Sequence, residues 1–559
     1  MFSKSKINQQ IDLFSYNNHV LRGQVLAIYE NDNEWHNIFY NTVTKKVDET
    51  IFKPLFREDF GAPNSSIRVL FAMMVLKSAF NWSTNQLYSN CQFNIQVRGA
   101  LGLFNLSDPV PVEATYYNFK KRIVEHEKQG NPNLFELAFA QITQSQIAEY
   151  CIDGNKVRMD SKLLGSNIAW LSRYENVHET LRLAYTSAPD SFAKLLSKDD
   201  LSIINALSLE KCSSVSHRNN DTQLADRMKK LGVIIYKFLL LFKGESTEAI
   251  EVLRSVFQQQ YEVSDDLVIV LSKEKQHFDI IETPHDPDAR FRKKGDDKNT
   301  GFSVNITETC NSDNSVNLIT SVFVVPATTA DNTFLIPAIE ETEKITNTKI
   351  ETVNADGAYH SQNNQSYCQD NSIDLIISGI CGRIPRFVYS LDENNELICW
   401  DTQTETYLHT EKVLSKKENA IPRWRFYRPN SNKIKYVTQK DLDNSLLRQK
   451  IANRTLQERY IRNNVEATIF QLGYHYRANK TQYRGLIGHR IWANCRCLWI
   501  NFRRIMKYRV LNEPESSNIV SASFSFFKIR IFRLKCALIE TFFSHEKTFF
   551  RIFELSLNY

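Results

Sequence analysis

Apolar residues recur at helical spacing through roughly the first 150 residues. SSIRVLFAMMVLKSAF opens with Ser65 and Ser66 as cap candidates and predicts a helix. A turn at Asn81 and Trp82, then Ser83, opens a second helix, STNQLYSNCQF. A third, VEATYYNFKKRIVEH, starts after Pro109 and Pro111 and carries a basic cluster at Lys120 and Lys121. Short helices with tight turns suit a helix-turn-helix reader of DNA and equally a small bundle without a ligand.

At Asn155 the period changes. Val157 and Met159 alternate with Arg158 and Asp160, the pattern of a strand. A helical stretch follows over roughly 163–262, with apolar runs such as Leu231 to Leu241. Strand patterns return in GFSVNITETC (301–310) and NLITSVFVVP (317–326), separated by the polar turn SDNS. Then come a short helix from Pro337 to Ile345, the strand KIETVNA stopped by Asp356-Gly357, a polar helix near 361–370 and the apolar run IDLIIS. Residues 380 to about 440 read as irregular, and helical spacing resumes from Asp441 to Leu472. With the helical stretch set aside, this is the element order of an RNase H-like fold, in which the first and fourth strands are neighbours. The expected architecture is an α+β or α/β, RNase H-like catalytic core (151–505) with a helical insertion (about 163–280) and an irregular insert (about 380–440). An all-α DNA-binding domain (1–150) precedes it, and a tail of unassigned role (506–559) follows.

Composition narrows this picture a little. The chain has 559 residues, 42% hydrophobic and 24% charged, a globular balance. A formal charge of +6 permits a nucleic-acid partner without demanding one, so the placement of the charge matters more than its sum. Ten cysteines are spread along the chain, the closest being Cys495 and Cys497, and no two C-x-x-C pairs meet as a zinc site requires. They read as thiols in a reducing cytosol. The start, MFSKSKINQQIDLF, lacks the apolar core of a signal peptide, and no stretch of about 18 uncharged apolar residues occurs. The expectation is a soluble, cytoplasmic protein that does not enter a membrane.

The candidate chemistry rests on acids and bases. Asp160 and Asp356 fall on or at the end of the two strands expected to be neighbours. Glu466 lies in a late helix, at the edge of an apolar face made by Val465, Ile469 and Leu472, one turn after Arg462. Three gathered carboxylates repel one another unless a cation joins them. Magnesium prefers such hard oxygen donors, and a pair of ions serves in-line phosphodiester chemistry. Spacing alone gives the three acids almost no specificity, because a lone Asp at a strand end is usually a turn residue. Asp286 and Asp288 with His285 are a rival cluster, though Pro287 suggests a loop held by side-chain turns. From Gly473 to Arg509 there are nine Lys or Arg and no acid, interleaved with Tyr474, Tyr476, Tyr483, Trp492, Trp499 and Tyr508. That composition favours a phosphate partner with stacking on unpaired bases. An amphipathic helix with a solvated basic face is the plainer alternative. Candidate phosphate contacts are Arg462, Arg477, Lys480, Arg484, Arg490, Lys120, Lys121 and a second cluster, Arg292, Lys293 and Lys294.

Five blocks in order carry a resemblance. They are FREDFGAPNSSIRVLFAMMVLKSAF with TYYNFKKRI, VRMDSKLLGSNIAWLSRYENVHETLR, HDPDARFRKKGDDKNTGFSVNITETC with LITSVFVVPATTADN, VNADGAYHS, and RNNVEATIFQLGYHYRANKTQYRGL. Over roughly residues 10–505 the chain resembles the DDE transposases of bacterial insertion sequences, in the branch with a helical insert after the first acid. The resemblance implies Asp160, Asp356 and Glu466 as metal-binding catalytic residues for two Mg2+ ions, with Mn2+ as an alternative. It implies cleavage at the ends of a mobile element and strand transfer into target DNA. Its implied partners are double-stranded DNA at terminal inverted repeats, target DNA and a second copy of the chain, in a bacterial cytoplasm at the nucleoid. An inactive DNA-binding remnant and a stand-alone RNase H-like nuclease are the alternatives. Many relatives carry Tyr-x-x-Arg-x-x-x-Glu-x-x-x-x-x-x-Lys. Arg462 and Glu466 fit, whereas Arg459 takes the tyrosine slot and Gly473 the lysine slot, with Arg477 or Lys480 as substitutes.

Overall fold

The caps anticipated near residue 66 organise the N-terminal helices in a computed structural model. It describes the chain to Asn512 except residues 6–20, 59–60, 190–194, 243–246, 266, 295–296, 381–384, 414–422, 430, 432, 475 and 477–478. Most of the tail, residues 513–559, lies outside it, as do the side chains of 294, 297, 456–460, 462 and 463. The N-terminal helices are α1 (Gly23–Glu30), α2 (Trp35–Phe39), α3 (Ile67–Phe80), α4 (Thr84–Phe93), α5 (Ile95–Leu101), α6 (Glu113–Lys128) and α7 (Leu134–Glu149). The Ser66 hydroxyl accepts from the amide of Val69, and Asn81 ends α3 in the left-handed conformation. Ser83 and Gln86 form a reciprocal capping box on α4. Helix α3 is buried on nearly every side, which its all-round apolar sequence requires.

Strand β1 (Lys156–Gly165) opens the mixed sheet. Five helices follow it: α8 (Arg173–Ser187), α9 (Lys198–Leu209), α10 (Cys212–Arg218), α11 (Asp221–Leu241) and α12 (Glu248–Gln260). They enclose their own core around Val177, Leu181, Ile235, Phe238, Leu253 and Val256. The helical stretch, expected to run to about 262, ends at Gln260, and a hairpin follows, β2 (Tyr261–Ser264) and β3 (Leu267–Val270). Tyr261 lies against Gly232, where a Cβ would come within 2.4 Å of its ring, so a helical glycine makes room for the strand.

The chain then adds β4 (Arg290–Lys294), β5 (Asp297–Thr309), β6 (Ile319–Pro326), α13 (Leu335–Thr346), β7 (Thr352–Ala355), α14 (Gln362–Asp370) and β8 (Asp374–Ile377). The sheet runs β4-β5-β1-β7-β8, with β6 also on β5. β1 pairs antiparallel with β5 and parallel with β7, and β7 pairs parallel with β8. Val157, Met159, Val353 and Ala355 bury one face of this sheet against Leu335, Ala338 and Ile339 of α13. The period-2 pattern therefore sends Arg158, Asp160 and Lys162 to the opposite face.

Residues 380–440, expected to be irregular, contain two small three-stranded sheets. One holds β9 (Phe387–Leu391), β10 (Leu397–Asp401) and β11 (Thr406–Leu408). The other holds β12 (Glu411–Val413), β13 (Arg423–Tyr427) and β14 (Ile434–Thr438). Their shared core is Phe387, Tyr389, Leu397, Cys399, Trp424 and Phe426, three alternating pairs. The strands are only three to five residues long, so charged turns between them hide the period. Helices α15 (Gln439–Ala452), α16 (Leu456–Gly473) and α17 (Leu486–Asn512) complete the described chain. Met1–Met506 forms one compact unit. Among the described residues no helix is long and apolar enough to cross a membrane.

Candidate active site

Parallel pairing sets the geometry of the two aspartates. Lys156, Val157 and Arg158 stand opposite Thr352, Val353 and Asn354. Asp160 lies two residues further along β1, on the sheet face opposite the α13 core, and Asp356 directly follows the end of β7 at Ala355, two residues after Asn354. Asp160 Oδ1 accepts the amide of Ser161 at 2.8 Å. Asp356 Oδ1 accepts the amide of Gly357 at 2.6 Å and the hydroxyl of Ser378 at 3.0 Å. Gly357 is required there, since a Cβ would lie 2.1 Å from the carbonyl oxygen of Gly379 beyond β8. Tyr359 follows, its hydroxyl accepting from Asn305 Nδ2 at 2.6 Å. Burial and the neighbouring charge of Asp160 push that phenol well above its ordinary value.

Helix α16 packs across β1 on this face. Val465, Thr468 and Leu472 are buried beneath it, and Glu466 is exposed on its flank. Two β1 side chains touch its backbone: Arg158 Nη1 donates to Ile461 O at 3.1 Å, and Lys162 Nζ lies 3.5 Å from Ile469 O. Glu466 falls between these two anchor points. Among the described residues, no three His, Cys, Asp or Glu gather closely enough to hold a metal ion. The candidate donors on the central strands are the two aspartates. Their chemistry suits a hard divalent cation, for which one or two carboxylates with water and phosphate oxygens suffice.

A buried acid unnoticed in the sequence holds this arrangement. Glu308, opposite Arg158 on β5, is fully buried. Its carboxylate meets Arg158 Nε at 2.5 Å, Arg504 Nη2 at 2.5 Å and the Thr468 hydroxyl at 2.9 Å. It thus ties β1, β5, α16 and α17 together. Burial alone would raise the Glu308 carboxyl, but Arg504 and Arg158 outweigh it and leave the group below its ordinary value. A depressed folded-state pKa adds stability above the unfolded carboxylate range and loses it as pH falls through the folded value. Urea midpoints of the wild-type chain should therefore fall below about pH 4. Glu308→Gln should be less stable at neutral pH and show a shallower acid limb. Parallel acid limbs for the two proteins would refute this linkage.

The basic candidates separate by environment. Arg490 pairs with Glu127, and Arg292 lies 3.2 Å from Asp331 while donating to the carbonyls of Ala327 and Thr329. Arg484 is exposed and donates to Asn167 O at 2.7 Å, and Lys480 is exposed and donates to Ile168 O. Lys120 lies over the Tyr483 ring at 4.5 Å, and burial lowers its pKa. Lys121, 3.6 Å from Glu125, and Lys293 are exposed. Arg477 and the side chains of Arg462 and Lys294 lie outside the described residues. Of the six aromatic residues expected to stack on bases, Tyr476, Tyr483 and Trp492 are buried, Trp499 and Tyr508 are half-buried and Tyr474 is exposed. Trp492 Nε1 donates to Tyr476 Oη at 2.7 Å. The acid-free stretch is thus largely a buried helix whose cations serve internal acceptors, as with Arg496 and Arg504.

The rival acids have a structural role. Asp286 Oδ2 accepts the amide of Gly485 at 2.9 Å, and Asp288 Oδ2 accepts that of Leu486 at 3.3 Å, at the start of α17. His285 pairs with Glu179 at 3.0 Å. Carboxylates at a helix N-terminus are what the macrodipole favours.

Among solved structures, one match is a piggyBac transposase synaptic complex with hairpin DNA, at 8% identity and a TM-score of 0.28. It covers 86% of this chain and 76% of that one, and similarity at that level carries no argument about this fold. No curated protein matches the chain. Residues 28–122, within the N-terminal helices, match the transposase domain family DUF772, which supports reading the chain as a DNA transposase.

Proposed function

We propose that this chain is a DDE transposase with an RNase H-like core that cuts DNA at the ends of an insertion sequence and joins them to target DNA. The observation that best supports the reading is the parallel register of β1 and β7, which pairs Arg158 with Asn354, each two residues before one of the aspartates. The strand order β6-β5-β1-β7-β8, in which only β5 runs opposite to the other four, supports the core. The transposase-domain match over residues 28–122 supports the class of reaction.

In this reading Asp160 and Asp356 hold the divalent metal, and Glu466 joins them when DNA is bound. Magnesium or manganese supplies charge stabilisation for phosphodiester cleavage and transfer. The chain's own part is to hold two carboxylates side by side, to carry Glu466 on a helix pinned by Arg158, Lys162 and Glu308, and to bind phosphates. Terminal inverted repeats, target DNA at the nucleoid and a second copy of the chain are the proposed partners. The insert α8–α12 and the N-terminal helices are the proposed DNA-facing modules. A second reading, a DNA-binding remnant without catalysis, draws on the lack of a three-acid group among the described residues.

The test is cleavage of a duplex carrying the DNA that flanks the coding segment. Nicking or joining should appear with Mg2+ or Mn2+, stop with chelator and return with added metal. Binding of the same duplex without metal-dependent cleavage would favour the remnant.

A further inference from the structure

The candidate site contains a cation to which the fold assigns no acid. Lys162 stands two residues beyond Asp160 on β1, so both side chains leave the same sheet face, about 7 Å apart along the strand. The ammonium is partly buried. Its Nζ lies 3.5 Å from the carbonyl oxygen of Ile469, three residues after Glu466 on α16. Among the described residues no ion pair reaches it. Other cations on this face are matched, since Arg158 and Arg504 share Glu308.

Gly473 makes the room. A Cβ there would lie 2.7 Å from Lys162 Nζ and 2.9 Å from Cε. The last turn of α16 thus lets the ammonium sit against the helix, beside the flank that bears Glu466. A partly buried ammonium has lost water without gaining a counter-charge. An arriving anion supplies that counter-charge and gains from the lowered dielectric.

We propose that Lys162 binds a non-bridging oxygen of the DNA phosphate presented to Asp160 and Asp356. This rests on the function proposed above. Lysine serves as a point-charge phosphate ligand, and at this place it offsets the repulsion between the carboxylates and the DNA backbone.

The full-length chain, Lys162→Met and Lys162→Arg are compared by fluorescence anisotropy on the flanking-DNA duplex across a salt series. Lys162→Met should bind roughly tenfold more weakly at low salt, and its plot of log affinity against log salt should be shallower by about 1. Metal-dependent cleavage should fall at least about tenfold, as expected for a lost charge contact to the reacting phosphate. Lys162→Arg should keep the slope and most of the cleavage. The melting temperature of Lys162→Met should stay close to wild type, because the long 3.5 Å contact to Ile469 O and the burial of an unmatched ammonium are lost together. A wild-type salt slope in Lys162→Met overturns the proposal, whether or not cleavage falls. Were the wild-type chain to bind DNA without cutting it, the salt slope would still decide on Lys162 while the catalytic reading fell. Were it to bind no DNA, both would fall together.

Discussion

Asp160→Asn and Asp356→Asn should each abolish metal-dependent DNA cleavage, by about three orders of magnitude or more, while leaving the fold and DNA binding in place. Asparagine keeps the shape and an acceptor oxygen at Oδ1. It can still accept the Ser161 amide at position 160, and the Gly357 amide and Ser378 hydroxyl at position 356. Only the charge is lost, and a hard divalent cation is held mainly by charge. The two variants should also be non-additive, because both remove one shared site. Cleavage within tenfold of wild type in either variant would sink the assignment. Binding lost in parallel with cleavage would show that the aspartates serve the fold rather than the metal.

The parts of this site visible in the sequence are those with a local period. Val157 and Met159 alternate with Arg158 and Asp160, so the strand and its polar face can be read directly. The pairing of β1 with β7 spans about 200 residues and is legible only through the order of elements. Glu308 was hidden because its strand reads as an ordinary alternating hairpin. Its burial is tolerated through Arg158, Arg504 and Thr468, from three distant segments. Lys162 and Gly473 are similarly separate in sequence, and only the packing of α16 on β1 brings them together. The small sheets of residues 387–438 were missed because alternating pairs such as Trp424 and Phe426 are too short for a periodic signal among charged turns. The basic stretch after Gly473 mixes two uses that composition does not separate: Arg490, Arg496 and Arg504 satisfy acceptors inside the protein, whereas Lys480 and Arg484 are exposed.

Arg496 is the strongest case of internal use, and Arg496→Met should cost about 3 kcal/mol or more of stability. The side chain is buried, with no carboxylate among its hydrogen-bond partners. Its guanidinium donates to Leu472 O at 3.2 Å, to Gln471 O and to Tyr474 O at 3.4 Å, at the end of α16. It also donates to Ala79 O at 2.7 Å and Ser78 O at 3.3 Å, at the end of α3. One planar fork therefore caps two helix C-termini, where orphan carbonyls and the negative end of each macrodipole favour a cation. Methionine fills the volume but leaves these carbonyls without their donor in a dry interface, and each such loss costs about 1–3 kcal/mol. The urea midpoint should fall clearly, and cleavage should fall with it, because α16 carries Glu466. Arg484→Ala is the control: that side chain is exposed and meets one carbonyl, that of Asn167, so its stability should stay within about 0.5 kcal/mol of wild type. A midpoint for Arg496→Met as high as that of the control would refute the capping role and return the basic stretch to the reading of a DNA-binding surface.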